Sequence, residues 1–408
     1  MSNVLIFLLF LTPTIQYRVE LGPFSFALME PFVLLVSAML LAHQIVSRRR
    51  LVILKNPLVY LFIGMTLWAF VVRPWATDWK HGLSDVRDWA IPVLGFVVLV
   101  STVRSGWRRK TQMLMIIAIL QSTIAIYQSL TDSFRVFVKG GSALYKTGFF
   151  ASPGGSLPLA SYGLGFFSHP NGFGYFASIG LLIWLGLYAS SRRRLNILLL
   201  LSGIVLASAL VLSYAKTSIL AFVISALLMR LLRYRELHRL MPLAPVLGFL
   251  ISFLAFLSGP LASIRYVPPE FATSVWRLEL WQDSLDLVAR NPTILLVGNG
   301  DSALWSLRSI KFLHPHNLPL YFLIYYGLPG VAWLTIYTVV LSRIGSIRIS
   351  YLKRVPLLAA LYLSLSTLLL TGIFEVMLND INSRMIILLI CSCFVGLERE
   401  TISSAKGV

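Results

Sequence analysis

Charge is scarce in this chain. Of 408 residues only 12% are Asp, Glu, Lys or Arg, and only 16 are acidic. A soluble domain carries roughly 25% charge, so a soluble globule of this length is excluded. Cysteine is scarcer still: Cys391 and Cys393 stand two apart in an apolar run. Residues two apart point to different sides of a helix, so the pair implies neither a disulfide framework nor a metal site. No repeat or low-complexity tract is evident. What fills the chain is apolar: 57% of the residues, with a mean hydropathy of +0.80. Twelve membrane helices of about 20 residues would use roughly 240 residues, close to that apolar content.

Apolar runs fall at about 4–16, 26–46, 57–73, 89–103, 111–130, 171–190, 195–212, 217–232, 240–258, 317–341, 357–374 and 384–397. The spacing predicts an all-α polytopic membrane protein with about 12 spans, forming one integral membrane domain over residues 1–408. The first run has no basic segment before it and no clear small-residue cleavage site, so it reads as a span and not as a cleavable signal. Basic clusters punctuate the runs at Arg48–Arg50, Arg104 with Arg108–Lys110, Arg192–Arg194, Arg233–Arg239 and Arg343–Arg354. Positive loops stay cytoplasmic. Placing these clusters inside puts both termini in the cytoplasm, with 21 of the 35 basic residues and three of the 16 acidic ones on that side. A net charge of +19 ordinarily points to a polyanion such as nucleic acid. Here topology absorbs nearly all of it, and no nucleic-acid partner is expected.

Two outer loops remain, at about 131–170 and 259–316, the second being the large loop between spans nine and ten. Neither is large enough for an independent catalytic domain with a deep core. Any chemistry is expected where they meet the outer ends of the helices. Within the second, Thr273 to Ala289 reads as an amphipathic helix stopped by Asn291-Pro292. Asp286 pairs with Arg290 at i,i+4, whereas Arg277 has no carboxylate at helical spacing. Two readings stand for Arg277: a solvated or distantly paired surface residue, or a planar fork that binds an external phosphate.

Next comes His314-Pro315-His316-Asn317, with Gly327 nine residues beyond. Histidine titrates near neutral pH and can take a proton from a sugar hydroxyl. The alternative for His316 is a role at the helix beginning at Asn317. His-Pro-His also has the shape of a metal pair, but no third ligand is evident and no metal is expected. Lys216, in Ser213-Tyr214-Ala215-Lys216-Thr217, is the sole cation of a short outer turn, against the positive-inside pattern; snorkelling to lipid headgroups is its other explanation. His169-Pro170-Asn171 opens span six. Glu30, near the outer end of span two, reads as a supporting residue, paired or protonated inside the bundle.

The chain lacks a GKS/T phosphate loop and a cytoplasmic Asp-x-Asp nucleotide-sugar motif. No single loop gathers Ser, His and Asp. An outward-facing enzyme without such motifs needs a substrate already energised and delivered through the membrane, and a lipid-linked diphosphate meets that need. A solute transporter or flippase would instead place Gly/Pro-broken spans and polar groups at mid-membrane depth; here polar groups gather at the outer ends.

Four stretches in order resemble the bacterial O-antigen ligase family, which includes the related Wzy-type polysaccharide polymerases. They are His169-Pro170-Asn171, Ser213 to Thr217, Trp276-Arg277-Leu278-Glu279-Leu280-Trp281 with Asn291-Pro292 and Gly298-Asn299-Gly300, and His316-Asn317 with Gly327. The resemblance implies an inverting, metal-independent and cofactor-free glycosyltransferase on the periplasmic face of the inner membrane. Its donor would be an undecaprenyl-diphosphate-linked glycan, and its acceptor lipid A-core or a growing glycan. It implies that Arg277 binds the diphosphate and His316 activates the acceptor hydroxyl. Lys216 stands where the family carries a second arginine, and a lysine neutralises phosphate without bidentate geometry. Asn317, His314, His169, Asn171, Trp276, Trp281 and Glu30 are the expected supporting residues. Between ligase and polymerase, the first outer loop (Arg135, Lys139, Lys146) has no counterpart to the Trp276–Trp281 helix, which favours ligase.

Overall fold

The computed structural model describes residues 3–15, 18–21, 24–46, 56–72, 79–103, 105–131, 165–167, 170–190, 197–213, 215–231, 272–299, 315–373, 375–378 and 381–406. Most of these are helical. The elements are α1 (Asn3–Leu11), β1 (Arg18–Leu21), β2 (Phe24–Ala27), α2 (Met29–Val46), α3 (Pro57–Val71), α4 (Trp79–Thr102), α5 (Trp107–Thr131), α6 (Pro170–Ser190), α7 (Ile197–Leu212), α8 (Lys216–Leu231), α9 (Ala272–Arg290), α10 (Thr293–Val297), α11 (Leu318–Arg354), α12 (Pro356–Thr371) and α13 (Ile381–Lys406). Among the described residues, four helices are both long and apolar enough to cross a membrane: Met29–Val46, Trp107–Thr131, Asn171–Ser190 and Leu318–Arg348. Shorter apolar helices stand at five further runs, including Pro57–Val71 and Pro356–Thr371. The run at 240–258 and the loops at 132–164 and 259–271 lie outside the described residues.

The all-α expectation needs one amendment. β1 and β2 pair antiparallel, with Arg18 opposite Ala27 and Leu21 opposite Phe24. Their sequences alternate apolar and polar residues around Gly22-Pro23, the period and punctuation of a hairpin. The sequence reading absorbed Phe26 and Ala27 into the second apolar run and so missed the change of period.

At the centre of the bundle α6 packs on α5, α7, α8 and α12. α13 packs on α4, α5 and α12, and α3 joins α4 to α11. Exposed residues follow the helical period. On α11 the exposed positions Leu328, Ala332, Thr335, Ile336, Val339, Arg343 and Ile347 form one stripe.

α11 is not straight. Gly327 interrupts it with φ 69° and ψ −163°, a conformation open to glycine and closed to other residues. Three hydrogen bonds show how far the axis turns. Leu318 N donates to Gly372 O (2.7 Å), Tyr337 Oη to Leu365 O (3.3 Å) and Tyr362 Oη to Leu341 O (3.1 Å). At 1.5 Å per residue, Leu318 to Tyr337 would run about 28 Å if straight, while Gly372 to Leu365 on α12 runs only about 10 Å. The segment Leu318–Tyr326 therefore crosses the end of the bundle instead of following it. All nine of its residues are buried, covered on one side by α9 and α10, which both pack against α11.

Candidate functional site

The start of the crossing segment is fixed from several directions. Asn317 caps it, its Oδ1 accepting from Leu320 N (3.0 Å). The Asn317 amide donates to Ile373 O (2.9 Å), and Trp281 Nε1 on α9 donates to Pro315 O (2.8 Å). Between these anchors His316 takes φ 47°, the one left-handed non-glycine residue among those described. Such a conformation costs energy and persists where its surroundings over-determine it. The adjacent His and Asn thus divide two tasks: the asparagine ends and ties the helix, and the histidine is turned out of the chain direction into the site.

His316 is turned toward Glu375. The chain leaves α12 at Thr371, and Glu375 N donates back to Thr371 O (2.9 Å), which continues the helical path for a turn. The Glu375 carboxylate then gathers three partners. Oε2 lies 3.0 Å from His316 Nδ1. Oε1 accepts from the Arg277 guanidinium and from the Asn171 amide. Glu375 is 3% exposed, against 23% for the Arg277 side chain, so the arginine and not the carboxylate presents itself to a ligand. A buried carboxylate is retained where cations and hydrogen-bond donors compensate its lost hydration, and this one has all three.

Sequence reasoning missed Glu375 and read Arg277 as lacking a local carboxylate. The partner exists, 98 residues away in sequence; it engages one guanidinium nitrogen of a side chain that stays partly exposed, so both readings of Arg277 stand together. Glu375 did carry a signal: it is an acid standing between two apolar runs, at 357–374 and 384–397. The expected pair Asp286–Arg290 is present at 3.7 Å, on a surface position.

The other expected residues divide. Asn171, Trp281 and Asn317 join the site as described. Lys216 is the exposed first residue of α8, and no ion pair to it occurs among the described residues. Its turn touches the first turn of α6: a Cβ placed on Gly174 would meet Ala215 and Ser213 Oγ. Lys216 is thereby set beside the helix start that carries Asn171. Glu30 stands apart from the site: its carboxylate accepts from Ala27 N (2.7 Å) and lies 3.5 Å from Arg87, tying the hairpin to α2 and α4. Trp276 lies on α9, but its side chain, like His169 and His314, is outside the described residues.

A second polar cluster, also unforeseen, lies beneath the crossing segment. Arg384 on α13 is 1% exposed and pairs with Asp85 of α4 at 2.7 Å. Tyr326 Oη donates to Asp85 (2.8 and 3.0 Å) and accepts from Trp89 Nε1 (2.8 Å). Arg384 also reaches Tyr321 Oη (3.2 Å) and stacks over Trp89 at 4.4 Å. Its Nε donates to Leu378 O (2.8 Å), three residues beyond Glu375. This network fastens the crossing segment and the Glu375 turn to the same guanidinium.

Apolar helices thus surround a cation–histidine–carboxylate cluster, an arrangement consistent with an all-α membrane protein. Residues 201–335 match the Wzy_C family model, described as O-antigen ligase. The match supports placing the chain in the O-antigen ligase and Wzy-type family, as its motifs anticipated. No curated protein matches the chain. Lys216, Arg277, His316, Asn317 and Gly327 fall inside the matched span; Asn171, Glu375 and Arg384 fall outside it.

Proposed function

We propose that the protein is an inverting glycosyltransferase of the ligase kind. It moves a glycan from an undecaprenyl-diphosphate carrier to lipid A-core at the periplasmic face of the bacterial inner membrane, with both termini cytoplasmic and without a metal or cofactor. The observation that carries this reading is the single carboxylate, Glu375, shared by Arg277, His316 Nδ1 and Asn171. With Nδ1 held as donor to Glu375, the imidazole presents Nε2 as its basic nitrogen. Nε2 takes the proton of the acceptor hydroxyl, whose oxygen forms the new bond to the donor's anomeric carbon. The bond from that carbon to phosphate oxygen breaks, and its electron pair leaves on undecaprenyl diphosphate. Arg277 and Lys216 stabilise the charge gathering on that diphosphate. The glutamate balances the imidazolium that forms, the role of the acid in a Ser-His-Asp triad. His314, His169 and Trp276 support the site without touching the reacting atoms, whereas Glu30 holds the hairpin against α4.

Arg277→Ala is expected to lower transfer about 10²–10³-fold, the usual cost of removing one preorganised donor to a developing anion. Arg277→Lys should recover part of that loss, since charge survives and the fork does not. Initial rates with a lipid-diphosphate-linked donor read both, alongside membrane levels of each variant.

The second reading, a Wzy-type polymerase, shares this chemistry and differs in acceptor. Deleting the gene and resolving the surface glycan on a gel separates them. Full-length polymer left on its lipid carrier is the ligase result, and single repeat units on the normal acceptor are the polymerase result. An unchanged ladder would overturn both.

A further inference from the structure

Among the described residues of the outer loop region, α10 has an unusual surface. Ile294 is buried and Val297 half-buried against the protein, but Leu295 and Leu296 are 37% and 66% exposed. Together they make a small exposed apolar patch on α10, which gains meaning from the surfaces it adjoins. Just before them Arg290, Asn291, Pro292 and Thr293 are all exposed, and Thr293 Oγ1 donates to Asn291 Oδ1 (2.6 Å). Over seven residues the surface passes from charged, through polar, to apolar.

The position of α10 along the bundle supplies the reason. Its end interlocks with the break in α11. A Cβ on Gly327 would lie 2.8 Å from the Leu296 carbonyl and the Val297 nitrogen, and one on Gly298 would strike the Tyr325–Tyr326 peptide. Asn299 N donates to Ile324 O (2.7 Å). Leu296 is therefore beside Gly327, and the next residue, Leu328, is 51% exposed and heads the exposed stripe of α11. The other flank is α3, whose Trp68 Nε1 donates to Tyr326 O (2.9 Å). There Leu67, Phe70 and Val71 are 62%, 63% and 47% exposed. The exposed leucines of α10 thus continue the apolar belt of two flanking helices at the same level.

We propose that α10 is an interfacial foot, with Leu295 and Leu296 seated among the acyl chains of the adjacent lipid leaflet and Arg290–Thr293 at headgroup level. The occupant is bulk lipid, because the leucines continue the exposed apolar residues of α3 and of α11, which contains a helix long and apolar enough to cross a membrane. The foot bears on the site through the crossing segment. One end of that segment is locked to α10, and the other, about 13 Å away, carries Asn317 and His316. α9 bridges the same two ends, since Trp281 holds Pro315. The depth of the foot therefore fixes the height of His316 above the lipid surface, where a carrier's diphosphate must sit.

The test needs no substrate. Leu296→Cys, Leu328→Cys and Arg290→Cys are each spin-labelled in the full chain reconstituted in phosphatidylethanolamine–phosphatidylglycerol vesicles. Cys391 and Cys393 are buried, and the wild-type chain taken through the same labelling serves as the control. Collision with oxygen, which concentrates in lipid, is compared with collision with a water-soluble nickel chelate. The expected result is oxygen exceeding chelate at 296 and 328 and the reverse order at 290. Chelate exceeding oxygen at 296 would overturn the proposal, as would a 296 label that neither collider reaches. Leu296→Ser, which keeps the backbone interlock, must leave the protein in the membrane while moving a label at 290 toward water; an unmoved label at 290 also counts against the foot.

Discussion

Replacing Glu375 with glutamine is expected to lower glycan transfer by roughly 10²–10⁴-fold, close to the loss for His316→Ala. Glutamine keeps the volume and can still accept from Arg277 and Asn171. It removes the charge that balances an imidazolium, and it can present its NH₂ to Nδ1, favouring the tautomer whose Nε2 is already protonated. Losing the acid of a triad in this way costs about 10⁴ where it has been measured, and general-base catalysis as a whole contributes about 10²–10⁴. The two residues act as one unit through a 3.0 Å contact, so their losses should not add. Initial rates for Glu375→Gln, His316→Ala and the double variant check this: the double variant should be no worse than the poorer single within a few-fold. Multiplying losses would mean that Glu375 and His316 serve separate steps.

Arg384→Met is expected to destabilise the protein by about 3–5 kcal/mol, because it leaves Asp85 charged, buried and without its guanidinium. The same change frees Leu378 O and two tyrosine hydroxyls that now share that side chain. Thermal unfolding in detergent should show a large fall in midpoint. Removing both charges, Arg384→Met with Asp85→Asn, should restore much of the stability, since the uncompensated carboxylate is gone. Transfer should not return with it. The turn carrying Glu375 and the segment carrying His316 would both have lost their common fastening. Recovery of stability and activity together would make the cluster purely structural.

The contrast between these residues and the rest shows what a linear sequence can disclose. Helices in a membrane protein are written locally, in runs of apolar residues, and the run boundaries at 171–190 and 357–374 fall within a few residues of α6 and α12. Arg277, His316 and Asn317 were legible because their residue types and spacing are unusual for an outer loop. Glu375 was not, because its partners lie 59, 98 and 204 residues away and an isolated acid at a span end has many ordinary explanations. Asp85 and Arg384 were hidden for the same reason: each counted as an outer charge, and only packing of α4 against α13 brings them together. Gly327 was visible as a residue, but the crossing segment it permits was not. A 37-residue helix reads as one long span until hydrogen bonds to α12 fix where its first nine residues go.

The most direct measurement is transfer by the purified protein in proteoliposomes, given an undecaprenyl-diphosphate-linked glycan and an acceptor glycolipid. Wild-type protein is predicted to form the glycan–acceptor product with matching release of undecaprenyl diphosphate, and His316→Ala to form about a thousandth as much or less. Transfer by His316→Ala within tenfold of wild type, at equal reconstituted protein, would contradict the account.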